Sequence, residues 1–249
     1  MNSIKQIEVI YNNRLVGRLA LTREGLCAFE YSAEWLSSGF SISPFELPLR
    51  SGVFIAKPRP FEGGFGVFDD CLPDGWGLLI LDRYLQQKGI NPRTLTLLDR
   101  LALVGSTGRG ALEFRPDNSV VTRQDFADFE KLALEAEKIL ASDDYMGEGI
   151  EEFQDRGGSP GGARPKIFVR YNDKEWLVKF RAKRESQSIG VDEYRYSLLA
   201  KECGIEMPET RLFEGKYFGV ERFDRTLGGK LHVVSVAGLI GADYRLPSI

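Results

Sequence analysis

Histidine is all but missing from this chain: His232 is the only one in 249 residues. A metal centre built on imidazoles, or a Ser-His-Asp triad, would have to assemble around that single ring, so neither is expected. Cysteine is nearly as scarce. Cys27, Cys71 and Cys203 are odd in number and far apart, which argues against a disulfide framework. Long apolar runs are lacking too, none approaching the roughly 20 residues that cross a bilayer. The opening MNSIKQIEVIYNN is polar where a signal peptide needs an apolar core, so a cytoplasmic protein without a membrane partner is predicted. There is little excess charge of either sign. With 33 Lys and Arg against 36 Asp and Glu, the net charge of −3 argues against a broadly cationic nucleic-acid surface and leaves only local patches.

The chain does have 43% hydrophobic and 28% charged residues, a globular balance, and length for one or two domains. Ile7–Tyr11 and Leu15–Leu19 alternate apolar and polar residues about Asn12-Asn13, which predicts a hairpin. Cys27–Tyr31 reads as a further strand. Pro44 and Pro48 break the next segment, so residues 36–66 are expected to be loops and short strands. Leu78–Leu85 and Thr94–Leu103 read as helices stopping before Gly89 and at Gly105, and Ala111–Phe114 as a strand. Pro116–Val121 is a connector. Thr122 and Asp125 form a capping-box variant, and Phe126, Phe129, Ala133, Ala136 and Leu140 mark one face of a helix. The acidic tract Asp143–Asp155 reads as a mobile loop.

The most informative stretch is Gly157–Lys166, with four glycines, a serine and prolines leading into the strand Lys166–Arg170. Glycine permits positive φ and close approach, so successive amides can converge on an anion, with Arg164 and Lys166 adding charge at the rim. A flexible turn has the same composition, and the pattern fits neither a P-loop nor a dinucleotide fingerprint. Downstream come the turn Asn172-Asp173, a strand with Lys179, a helix with Glu193, and strands leading to Glu221. That order matches the small lobe of a protein-kinase-like nucleotide site: loop over phosphates, strand lysine on them, helix carboxylate holding the lysine. Each piece has a plainer alternative. Lys179 could be a solvated strand residue, Glu193 a dipole-favouring helix carboxylate, and Glu221-Arg222 a surface ion pair.

Together, FDDCLPDG (68–75), GSTGRGALEF (105–114), GSPGGARPK (158–166), WLVKF (176–180), VERFDR (220–225) and HVVSVAGLIGADYRLPS (232–248) resemble the HipA-type serine/threonine kinase toxins of bacterial toxin–antitoxin operons. The resemblance implies an α+β chain with a mixed α/β N-terminal subdomain over 1–115, a helical connector over 116–156 and a kinase-like small lobe over 157–249. It implies ATP as cofactor, held by Gly161, Gly162, Ala163, Arg164, Lys166 and Lys179, with Glu193 pairing Lys179 and Glu221, Arg222 and Phe223 flanking the base. Ser159 matches a regulatory phosphorylation site, where added negative charge competes for the loop's donors. The implied partner is a helix-turn-helix, HipB-like antitoxin, with DNA reached only through it. Only 26 residues follow Phe223, with Asp224 and Asp243 their only carboxylates. The expectation is therefore a toxin kinase truncated before its catalytic loop and inactive alone, magnesium binding only if a large lobe is supplied. A non-catalytic module that binds antitoxin or a separate large-lobe chain is the alternative.

Overall fold

The computed structural model describes residues 4–120, 127–157 and 161–246. The chain runs through strands β1 (Gln6–Tyr11), β2 (Arg14–Leu21) and β3 (Cys27–Tyr31), helix α1 (Ala33–Ser38), strand β4 (Val53–Ile55) and helices α2 (Gly66–Asp69), α3 (Gly75–Gln87) and α4 (Leu97–Val104). Strand β5 (Leu112–Arg115), helices α5 (Phe129–Ala141) and α6 (Gly149–Gly157), and strands β6 (Lys166–Tyr171) and β7 (Lys174–Lys179) come next. Helix α7 (Ile189–Glu202), strands β8 (Thr210–Phe213) and β9 (Tyr217–Glu221), the short strands β10 (Arg225–Thr226) and β11 (Gly229–Lys230), and helix α8 (Val236–Ile240) follow. The fold is mixed α/β, with antiparallel sheets and eight helices among the described residues.

Contacts divide the chain into two units, one of Met1–Leu72, Arg93–Ser119 and Thr226–Ile249, the other of Pro73–Pro92 and Val120–Arg225. Two segments leave their neighbours in sequence: Pro73–Pro92 belongs with the second unit and Thr226–Ile249 with the first.

The first unit is built on a five-stranded sheet in the order β4-β3-β2-β1-β5. Asn12 and Asn13 both take positive φ, 45° and 62°, the geometry that a two-residue turn needs to match strand twist. Ile7, Val9, Val16, Leu19 and Phe29 then face one core with Trp35, Phe68, Leu98, Leu101 and Phe114. Helix α4 starts at a reciprocal capping box between Thr96 and Asp99. Within residues 36–66 the structure differs from a run of loops and strands: α1, capped by Ser32, extends into it and buries Trp35.

The stretch after Thr226 joins this unit through polar ties. Lys230 Nζ lies 2.6 Å from both the Ser106 carbonyl and the Glu113 carboxylate. The Ser235 amide donates to Asp70 at 2.6 Å, and Gly238 lies so close to Gly66 that a Cβ on Gly66 would fall 2.3 Å from the Gly238 carbonyl oxygen. His232 Nε2 sits 2.8 Å from the Ile42 carbonyl oxygen.

The second unit carries a four-stranded sheet in the order β6-β7-β9-β8, with α7 in the chain between β7 and β8. Trp76, Ile80, Leu132, Ile139, Ile150, Phe153, Ile167, Val178 and Phe180 share its core. Helix α3 belongs here because its Trp76 packs edge-on against Phe153, with ring centroids 4.9 Å apart. Its buried Arg83 donates to the Ile139 and Ser142 carbonyls at 2.8 and 3.0 Å, satisfying the C-terminal end of α5. The capping-box residues Thr122 and Asp125, and Phe126, lie outside the described residues. Asp128 is the N-cap of α5 instead, accepting from the Lys131 amide at 2.9 Å.

The acidic tract is not a loop throughout: residues 149–157 form α6. Ile150 and Phe153, three apart, are 0% and 1% exposed, so they supply a helical apolar face that the surrounding carboxylates disguise.

Two outcomes are expected. Phe153→Ala should lower stability by about 3–5 kcal/mol in denaturant unfolding, as loss of a core aromatic does, whereas a mobile loop would tolerate it. Burial holds the His232 pKa below its usual 6.5, against smaller opposing effects of the Ile42 carbonyl and Asp70. The unfolded chain then takes up the proton first, so this contribution to stability is intact above the unfolded value and is lost as pH falls below it. His232→Gln should flatten the Tm profile between about pH 7 and 5.

Candidate functional site

The second unit's sheet places the basic residues by register. The Asn172-Asp173 turn, with φ of 50° and 60°, pairs Tyr171 with Lys174, which sets Lys166 opposite Lys179. Helix α7 comes close to the sheet because it begins at Ile189-Gly190, where a Cβ on Gly190 would fall 2.1 Å from the Lys216 carbonyl oxygen. That approach brings Glu193, one turn on, to Lys179.

Glu193 serves two cations at once. Its Oε1 is ion-paired with Lys179 Nζ, and its Oε2 lies 2.5 Å from Arg164 Nη1. Arg164 Nε also lies 3.1 Å from Glu185. Lys179 sits over the Phe218 ring at 5.1 Å, and its side chain is 25% exposed.

The Gly-rich loop is described from Gly161 onward, so Ser159 lies outside the described residues. Gly162 has φ of +92°, and a Cβ there would stand 3.0 Å from Lys166 Nζ. Lys166 is 4% exposed and turned back on the loop, donating to the Gly161 and Gly162 carbonyls at 2.5 and 2.9 Å. Ala163 is exposed beside them. The Gly162 amide donates to the Asp74 carboxylate, and the Gly162 carbonyl accepts from the Trp76 amide at 3.1 Å. Gly162 itself has no side chain to obstruct an anion at this point of the loop.

The Glu221–Phe223 segment divides by role. Glu221 pairs with Lys174 at 2.7 Å; hydrogen bonds to Glu221, then to Glu209, raise the Lys174 pKa. The Glu221 and Arg222 amides donate to the Glu209 and Glu175 carbonyls, both at 2.8 Å. The Arg222 guanidinium is buried, 2.8 Å from Asp224 and 3.2 Å from Glu175, with its carbon 4.2 Å from the Phe168 ring centre. Phe223 is 60% exposed.

A cavity of about 290 Å³ opens beside Lys179, lined also by Arg164, Arg181, Gly190, Lys216 and Tyr217. Its cations are balanced, Arg181 by Glu137 and Lys216 by Glu130. Burial raises the Tyr217 pKa, and hydrogen bonds to Tyr217 and Glu130 raise that of Lys216. Among the described residues no group of three or more His, Cys, Asp or Glu could hold a metal ion, and no helix is long and apolar enough to cross a membrane.

The structure thus gathers Gly161, Gly162, Arg164, Lys166, Lys179 and Glu193, and commits the Arg222 side chain to structural ion pairs. Glu185, Gly190 and Asp74 also belong to the arrangement, although sequence reasoning does not single them out. A glycine inside the first turn of an apolar helix pattern is the one local signal among them.

Residues 7–115 match the HipA N-terminal domain, and residues 158–248 match the HipA-like C-terminal domain. No curated protein matches the chain.

Arg222→Ala should cost about 1–3 kcal/mol, because it removes the buried guanidinium between Asp224 and Glu175 and leaves them to Arg225. Glu221→Ala, at a half-exposed pair, should cost only ~0–1 kcal/mol. Urea midpoints of the two variants make the comparison.

Proposed function

The chain belongs to the HipA family, and on that premise we propose that its second unit is a kinase-like small lobe that holds the phosphates of ATP. The observation that carries this reading is the Lys179–Glu193 ion pair joining a central strand to α7. A strand ammonium held by a helix carboxylate is the device by which kinases orient a nucleotide's phosphates. When bound, ATP supplies the phosphoryl group for transfer to a serine of a protein target.

The chain's own residues bind and orient. Lys179 meets phosphate oxygens as a point charge, and Glu193 fixes its position while keeping Arg164 near the loop. Gly161, Gly162 and Ala163 offer backbone amides at close range, and Lys166 adds charge once it leaves the loop carbonyls. The exposed Phe223 ring and its main chain flank the base, whereas Glu221 and Arg222 act as the frame behind it. The carboxylates that would hold magnesium and accept a substrate proton are not among the residues gathered here. Phosphoryl transfer on this reading therefore needs a large lobe, and Ser159 remains its proposed regulatory phosphorylation site. The proposed partner is a helix-turn-helix antitoxin, with operator DNA reached through it and the cytoplasm as the compartment.

Calorimetry with ATP·Mg tests this. Lys179→Ala should weaken binding by roughly tenfold or more, about 1.4 kcal/mol per decade. An affinity unchanged by the substitution, or no binding to the unaltered chain, would sink the reading.

A further inference from the structure

The FDDCLPDG motif ends in Asp74-Gly75, and nothing in the nucleotide reading accounts for this pair. Asp74 occupies the N-cap of α3, where an aspartate ordinarily accepts from the amides of its own first turn. It makes no such bond. Its carboxylate accepts instead from the amide of Gly162, in the Gly-rich loop. The clasp is reciprocal, since the Trp76 amide donates back to the Gly162 carbonyl at 3.1 Å. Gly75, with φ of +44°, lets the two backbones meet: a Cβ there would fall 2.8 Å from the Gly162 carbonyl carbon and oxygen. Trp76 roots the clasp in the core, 2% exposed and edge-on to Phe153.

A carboxylate on a loop amide has the charge and acceptor geometry of a phosphate oxygen. We infer that Asp74 is a built-in competitor for the phosphate position of the Gly-rich loop, latching it in a closed form that a nucleotide must open. This rests on the nucleotide reading above. While the latch is shut the Gly162 amide is occupied, the Gly161 and Gly162 carbonyls point at Lys166, and a negative charge stands where phosphates would approach. Apparent affinity is lowered by the fraction of loops that are closed. Removing the carboxylate should therefore strengthen ATP binding, the opposite of what a residue that merely positions the loop would do.

The experiment compares the full chain with Asp74→Asn, which keeps an acceptor without charge, and Asp74→Ala, which keeps neither. ATP·Mg affinity is read by calorimetry, with Lys179→Ala as the control for the nucleotide site. Amide exchange of residues 161–166 is followed without nucleotide. The latch requires faster loop exchange in Asp74→Ala and an ATP affinity raised several-fold in Asn and roughly tenfold in Ala. Affinity that is unchanged or weaker in both variants, while Lys179→Ala still abolishes binding, overturns the competition and leaves the nucleotide reading standing. If no variant binds ATP, the nucleotide reading and the competition fall together. Unaltered loop exchange in Asp74→Ala overturns the latch by itself.

Discussion

One carboxylate with two cations sets the geometry of the second unit's site. Glu193 reaches from α7 to both the Lys179 strand and the Arg164 end of the loop. A group a quarter exposed, flanked by two positive charges, gains from both only while they stay close, so loop, strand and helix are held to one spacing. Gly190 makes that spacing possible by removing a side chain that would push the helix away.

The scaffold beneath this cluster is apolar and aromatic, and it is assembled from distant pieces. Phe180, directly after Lys179, packs with Phe153, Phe129 and Tyr217 at centroid distances of 5.4 to 6.4 Å. A strand anchored in this way cannot rotate without disturbing α5 and α6, which fixes the direction in which its lysine leaves the sheet. Helix α3 completes the same core through Trp76. Two buried arginines of the unit are each partnered: Arg83 caps carbonyls and Arg222 sits between carboxylates.

Legibility in the sequence depended on range. Both hairpins were readable because two-residue Asn-Asn and Asn-Asp turns interrupt clean alternation, and positive φ at both positions is what such residues tolerate. The pairing of Lys179 with Glu193 could be anticipated from element order, with a strand followed closely by a helix. Helix α6 was hidden because its two apolar anchors are embedded among carboxylates, and α1 because a single tryptophan carries its packing. Membership of α3 in the second unit, and the Asp74–Gly162 bond across 88 residues, have no local signature at all. They arise from tertiary packing that no window of sequence contains.

Strand register has one more consequence. Lys166 and Lys179 face each other across the β6–β7 pair, and like charges directly opposite on a sheet repel. Each is quenched by a different neighbour, one by loop carbonyls and the other by a helix carboxylate. The loop thus supplies carbonyl dipoles to a lysine of the strand that follows it. A loop that leaves Lys166 therefore uncovers a buried ammonium opposite a second one, a cost that holds the loop to its own strand.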